Sequence, residues 1–328
     1  MKQRILGQTG QSVSEIGFGA WAIGGTWGEV SVEDAKEALN AALDAGITFI
    51  DTADVYGDGR SEKIIAEVLN ERGGKRPFVA TKLGRRLSPH VSEGYTAENL
   101  NAFVERSLQN LQTDTLDLVQ LHCPPTEIYY TPEVFDVMDD MVAAGKIRHY
   151  GVSVEKVEEG LKALEFPNVS SIQLIYNIFR QRPAEHLLLE AKRRNVGIIA
   201  RVPLASGLLT GKMKADTFFS ADDHRAFNRN GEAFDKGETF SGVPFEVALD
   251  AVEDIRRFVK GDVTMAMLAL RWILMNENVT VVIPGAKNRA QSEANAQASQ
   301  LDALSEDTML ALKGIYQQKI APWVHQRW

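Results

Sequence analysis

The sequence predicts an α/β fold, a closed (β/α)8 TIM barrel, and three observations carry that expectation. Eight short apolar runs recur along the chain: EIGFGA, ITFIDTA, PFVATK, LDLVQLH, HYGVS, SIQL, VGIIAR and VTVVIPG. Each is apolar through its length and bounded by Gly, Pro or polar residues, as suits strands buried on both faces. Longer amphipathic stretches separate them, and most of the resulting units repeat at roughly thirty residues, the length a parallel crossover needs. The third observation concerns the open-sheet alternative. A doubly wound sheet carries a glycine-rich turn after its first strand, whereas GFGAWAIGG puts an aromatic and other large side chains there. The barrel is favoured, with 328 residues read as one domain spanning 1–328.

The elements follow in order. Ahead of Glu15, RILGQTGQSVS reads as a hairpin turned at Gly7 to Gly10, placed to cap the barrel's bottom. SVEDAKEALNAALDAG reads as a helix with Ser31 as N-cap and Gly46 as its C′ glycine. TAENLNAFVERSLQNLQ starts at Thr96, with Glu98 in the first turn complementing the helix dipole. From Met213 to Gly242 no periodicity is sustained, which predicts a long structureless loop between strand seven and helix seven. That is the face on which barrel active sites sit. SEDTMLALKGIYQQKIAPWVHQRW continues past the eighth unit as an amphipathic helix and an aromatic tail.

Composition excludes several function classes. Hydrophobic residues at 44% and charged residues at 24% suit a globular chain with a large core. A net charge of -8 argues against a nucleic-acid or anionic-membrane surface, but not against a local anion pocket. A single cysteine, Cys123, permits neither an intrachain disulfide nor a thiolate zinc cluster. No apolar run is long enough to span a bilayer, and the N-terminus lacks a signal peptide's apolar core, so a cytoplasmic location is expected.

Polar residues fall at the ends of consecutive strands. Strand two ends in Asp51 and its loop carries Tyr56; strand three ends in Lys82; strand four ends in His122. Neighbouring strands would bring a carboxylate, a phenol, an ammonium and an imidazole together at the mouth. A free Tyr is a poor acid at neutral pH, and a Lys ammonium held by Asp51 is expected to lower its pKa. Tyr56 would then serve as general acid for a developing alkoxide, with neutral His122 orienting the carbonyl. None of these groups supplies electrons, so reduction would need a nicotinamide cofactor. Taken singly, a strand-end Lys, His or Tyr is as often a structural residue as a functional one. A metal site is disfavoured, because no second His lies at ligand spacing and Lys82 would repel the cation. A Schiff-base aldolase using Lys82 remains the catalytic rival.

With DTADVYGDGRSE, ATKLG, QLHCPP, GGTWG and PLASGLLTGK, the chain resembles the aldo-keto reductase superfamily over nearly its whole length, closest to a bacterial branch. The resemblance implies a catalytic tetrad of Asp51, Tyr56, Lys82 and His122, a small carbonyl substrate, NADP(H) and a monomer. It implies that Ser153 and Gln173 touch the nicotinamide carboxamide, and that Ala20, Trp21 and Asp51 also bind the cofactor. It puts the pyrophosphate against Pro203, Leu204, Ser206, Gly207 and Leu208, with Lys212 adding charge. It puts Gly285 in a turn, Asn295 near adenine, and Lys287, Arg289 and Gln291 at the 2′-phosphate. Two departures stand out: Val154 replaces the usual Asn, and Arg201 occupies the place of an aromatic residue that stacks on nicotinamide. A guanidinium stacked there would favour the neutral reduced ring over the cationic oxidised one. Trp27, Tyr56 and the 213–242 loop would make an apolar substrate mouth. Some superfamily members serve instead as cofactor-binding auxiliary subunits of ion channels, which is the alternative from another class.

Overall fold

The computed structural model describes residues 1–25 and 30–328. The N-terminal hairpin pairs β1 (Gln3–Ile5) with β2 (Ser12–Ser14) antiparallel, across a turn that ends in the left-handed Gly10. Its Leu6 and Val13 plug the barrel floor against Phe49, Ala80, Leu118, Ile199, Val281 and Ile283.

Eight parallel strands follow: β3 (Phe18–Gly19), β4 (Phe49–Asp51), β5 (Phe78–Leu83), β6 (Leu116–His122), β7 (Ile147–Ser153), β8 (Val169–Ile175), β9 (Gly197–Arg201) and β10 (Val281–Val282). They stand in sequence order, each hydrogen-bonded to the next. Parallel bridges from Ile16 to Val282 and from Gly19 to Gly285 close the circle. At that seam Gly19 donates its N–H to the carbonyl of Pro284 at 3.0 Å, and any Cβ on it would come within 2.7 Å of the Ile283 carbonyl oxygen. Side chains alternate along each strand. Phe49, Ala80 and Leu118 therefore share the apolar lower layer, while Asp51, Lys82 and Gln120, two residues on, form a polar layer above it.

Helices α1 (Val32–Asp44), α2 (Arg60–Arg72), α3 (Ala97–Leu111), α4 (Pro132–Ala143), α5 (Val157–Ala163) and α6 (Leu187–Arg193) connect the first seven barrel strands. Ser31 and Thr96 cap α1 and α3 as expected, their hydroxyls accepting from the N–H of Asp34 and Asn99 at 3.0 and 3.3 Å. The segment after β9 corrects the expectation of a structureless loop. It holds α7 (His224–Phe227) and tight turns at Lys236–Glu238 and Phe240–Gly242. Buried Asn228 organises it, its side-chain oxygen accepting from the N–H groups of Ala233 and Phe234, both at 2.8 Å. Local side-chain bonds of this kind fix a chain that lacks periodicity. Then come α8 (Phe245–Arg256), α9 (Met265–Leu274), α10 (Arg289–Gln297), α11 (Glu306–Ile315) and, after a π turn, α12 (Ala321–Val324). The chain finishes on buried Trp328. Among the described residues no helix is long and apolar enough to cross a membrane.

Candidate active site

The polar layer and the turn after β4 bring the four predicted residues together, Asp51, Lys82 and His122 from strands and Tyr56 from the turn. The Lys82 ammonium lies 2.6 Å from Asp51 Oδ2, donates to the carbonyl of Thr52 at 2.8 Å, and donates to the Tyr56 hydroxyl at 3.3 Å. Its three protons thus have three acceptors. The His122 ring meets the Tyr56 ring edge-on at 5.9 Å between centroids. Gln173 secures the other Asp51 oxygen at 2.6 Å, with Gln120 nearby at 3.4 Å. Lys82 is almost completely buried, and Asp51 and His122 nearly so.

Burial decides the protonation states. Burial pulls the Lys82 pKa down, but Asp51 and Tyr56 outweigh it and leave the group more basic than usual. His122 falls well below its ordinary value, through burial first and then the charges of Arg85, Lys82 and Arg201. It is therefore neutral. For Tyr56 the sequence expectation is corrected. Desolvation exceeds the pull of Lys82, and Asp51 adds to it, so the phenol is raised rather than lowered. The hydroxyl keeps its proton at neutral pH.

The residues assigned to the cofactor by resemblance are spread around the same mouth. Ser153 and Gln173 face each other across the β7–β8 pair, both buried. Ala20 donates its N–H to the Asp51 carbonyl at 2.8 Å. Trp21 stacks on Tyr56 at 6.1 Å and tilts against His224 at 4.8 Å. Trp27 lies outside the described residues. After β9, Pro203 and Leu208 are buried, and Ser206 and Gly207 take left-handed conformations at φ 56° and 98°. The Gly207 and Leu209 N–H groups both donate to the Leu204 carbonyl, at 2.9 and 3.1 Å, which closes the turn. The Ser206 hydroxyl itself is engaged within the protein, and Lys212 is exposed. At the far side Asn288 caps α10; the Lys287 N–H donates to Gln291 Oε1 at 2.8 Å, and Asn295 donates to the exposed Gly285 carbonyl at 3.1 Å. Arg289 is exposed and pairs with Glu37 and Glu293 at 3.4 and 3.5 Å.

Sequence reasoning missed a buried charge cluster at this mouth. Arg201 does not present a bare guanidinium. It donates to Glu155 Oε2 at 2.8 Å and to the Val154 carbonyl at 3.2 Å, and lies 3.6 Å from Glu238. Arg85 bridges the same two carboxylates, at 3.0 Å from Glu155 and 2.5 Å from Glu238. A buried cation recruits acidic partners rather than stand alone, so Arg201 is engaged by Glu155 and Glu238, the pairing alternative to a guanidinium stacked on the ring. Burial raises Glu155 to about 8, Glu238 adding to the effect against the pull of Arg201, while the two arginines hold Glu238 well below the usual range. Cys123, Glu155 and Glu238 offer ligand atoms within 4.8 Å of one another, but two guanidiniums stand against them and Glu155 favours its protonated form, which opposes a metal ion. Arg85 and Glu155 each follow a strand end by two residues, a signal that was available. Glu238, and Phe234 facing Trp21 at 6.2 Å, arrive from the long loop without one.

Residues 15–317 match the model of the Aldo/keto reductase family. The aldo-keto reductase YhdN of Bacillus subtilis is 34% identical over 316 residues, covering 94% of this chain and 91% of that protein. A probable voltage-gated potassium channel subunit beta of Arabidopsis thaliana is 28% identical over 323 residues, covering 91% of each. The solved glycerol dehydrogenase AKR11B4 from Gluconobacter oxydans superposes with a TM-score of 0.77 at 29% identity, covering 97% of this chain and 96% of that one. With a family match that spans the barrel and a relative of that identity along nearly the full length, the chain belongs to the aldo/keto reductase family.

Proposed function

We propose that the chain is an NADP(H)-dependent oxidoreductase that reduces an aldehyde or ketone to an alcohol, with Tyr56 as general acid. One observation carries this reading: the Tyr56 oxygen accepts from an ammonium that is itself locked to Asp51 at 2.6 Å. The phenol's own proton is thereby left to donate. It passes to the carbonyl oxygen as negative charge develops there, and Lys82 stabilises the phenolate that remains. Neutral His122 supplies a ring N–H to orient that oxygen, and its Nδ1 has no partner among the described residues. When bound, NADP(H) supplies the hydride, which no side chain here carries.

The residues present fit that cofactor. Ser153 and Gln173 suit an amide. The tight turn at Ser206 and Gly207, just past the C-terminal end of β9, suits a pyrophosphate. Lys287, Arg289 and Gln291 at the start of α10 suit a 2′-phosphate. The Schiff-base aldolase is disfavoured, since an amine that must attack a carbonyl needs a free lone pair and Lys82 is held as a fully engaged ammonium. A cofactor-binding auxiliary subunit is the second reading, supported by the channel-subunit relative.

The test is NADPH oxidation with a panel of reactive aldehydes, such as a nitrobenzaldehyde and methylglyoxal. Turnover that disappears in Tyr56→Phe supports the reductase. Tight NADPH binding with no turnover across the panel favours the auxiliary subunit.

A further inference from the structure

Glu238 reaches the site from a loop, and the last residue of the sequence grips that loop from outside. The Trp328 indole, 5% exposed, packs edge-on against two glycines. A Cβ on Gly242 would come within 2.5 Å of its Cη2, and one on Gly237 within 2.9 Å of its Cε2. The Arg180 guanidinium covers the ring face at 4.1 Å. That guanidinium, itself buried, donates to the carbonyls of Ser241 at 3.0 Å and Gly237 at 3.5 Å. The indole N–H donates to Asp235 Oδ1 at 2.9 Å, and the same oxygen accepts from the Gly237 N–H at 2.6 Å. Arg182 holds the Trp328 carbonyl at 2.8 Å.

The backbone on both sides of Glu238 is thus clamped by one indole–guanidinium stack. Glu238 then has two outputs. Its carboxylate takes Arg85 and Arg201. Its carbonyl accepts from Ser206 Oγ at 3.1 Å, and that oxygen in turn accepts from the Phe240 N–H at 3.1 Å, tying the clamped loop to the turn after β9.

We propose that Trp328 is a positioning residue for the cofactor site: with Arg180 it holds Glu238 where the carboxylate fixes Arg85 and Arg201 and the carbonyl fixes the Ser206–Gly207 turn. The proposal rests on the NADP(H) reading for its probe. Removing the indole frees the loop to sample other conformations, and cofactor binding must then supply the ordering. Asp51, Tyr56, Lys82 and His122 take no bond from the clamp, so chemistry on bound cofactor is spared.

The test is a fluorescence titration of NADPH with steady-state turnover. Trp328→Ala is expected to weaken NADPH about tenfold while kcat at saturating cofactor stays within about threefold, a split that general destabilisation does not give. Trp328→Phe, which keeps a ring over Arg180, is expected to recover most of the loss. Because Trp328 acts through Glu238, combining Trp328→Ala with Glu238→Gln should weaken NADPH no more than the worse single change. Losses that multiply overturn the proposal, as does unchanged affinity in Trp328→Ala. If the alanine variant does not fold, Trp328→Leu takes its place in the same cycle. Should the wild type bind no NADPH, the functional reading fails; the clamp is then tested by hydrogen exchange. The amides of 236–242 should lose protection in Trp328→Leu, and unchanged protection refutes it.

Discussion

At Tyr56 two opposing influences act on one phenol. Burial makes its ionisation harder, and the Lys82 ammonium 3.3 Å away makes it easier. Burial prevails in the resting protein, which suits an acid that must hold its proton until a carbonyl oxygen becomes basic. Tyr56→Phe is therefore expected to lower kcat by roughly 10²–10⁴-fold, the usual worth of a general acid, with NADPH affinity nearly unchanged. Near-normal turnover in that variant would reject the mechanism. The pH profile offers a second check. His122 sits well below its ordinary pKa of 6.5, so it gains no proton near pH 6.5 and its orienting role persists there. kcat/KM for reduction should show no acid limb centred near 6.5; a limb there that His122→Gln abolishes would contradict a neutral imidazole. At this scale the sequence was informative, because Asp51 and His122 end their strands, Lys82 lies one residue before the end of its own, and strand order alone puts them side by side. The sign of the Tyr56 shift was not legible, since burial belongs to the folded shape and not to the list of neighbours.

Helix α10 and the loop after β9 show two different degrees of legibility. Asn288 caps α10, a signal that the sequence reading passed over, while Lys287 and Arg289 beside it came only from the resemblance. Arg289, however, is already paired with Glu37 and Glu293, both exposed, so its contribution to a phosphate is offset by the partners it must leave. Lys287→Ala with Arg289→Ala is expected to weaken NADPH by about 10–100-fold, since charge-assisted bonds to phosphate are lost, while NADH binding changes little. Isothermal titration of both cofactors checks this; equal weakening would move the 2′-phosphate elsewhere. In the long loop, no periodic pattern announces α7 or the turns around Glu238. Their order comes from single polar side chains, Asn228 and Ser206, whose partners lie in residues that a pattern of period two or 3.6 does not reveal.

Across the whole molecule, one buried group sets a stability trend. Asp54 is fully buried, and neither carboxyl oxygen has a hydrogen-bond partner among the described residues. Burial, with Glu62 adding repulsion, raises it from 3.8 to about 7. The folded state thus keeps a proton that the unfolded chain releases. Stability owed to this group is intact below pH 4, declines as pH rises toward 7, and stays reduced above. The loss is on the order of 2–4 kcal/mol. Asp54→Asn is expected to raise Tm by roughly 3–6 °C at pH 8 and to leave it almost unchanged at pH 4. Thermal melts at the two pH values decide it, and an equal shift at both would rule out titration as the cause. The barrel itself was the most legible level, since all eight apolar runs became its strands. How it closes carries a consequence for the protein's synthesis. The seam joins Ile16 and Gly19 to Val282 and Gly285, nearly a chain length away, and Arg4 fastens to the carbonyls of Leu274, Asn276 and Val279 on that same late segment. A nascent chain emerging from the ribosome can stack its early strands but cannot shut the ring until residue 285 is free. For most of its translation the open edges of β3 and the growing sheet stand exposed, which makes this interval the time of greatest need for a chaperone.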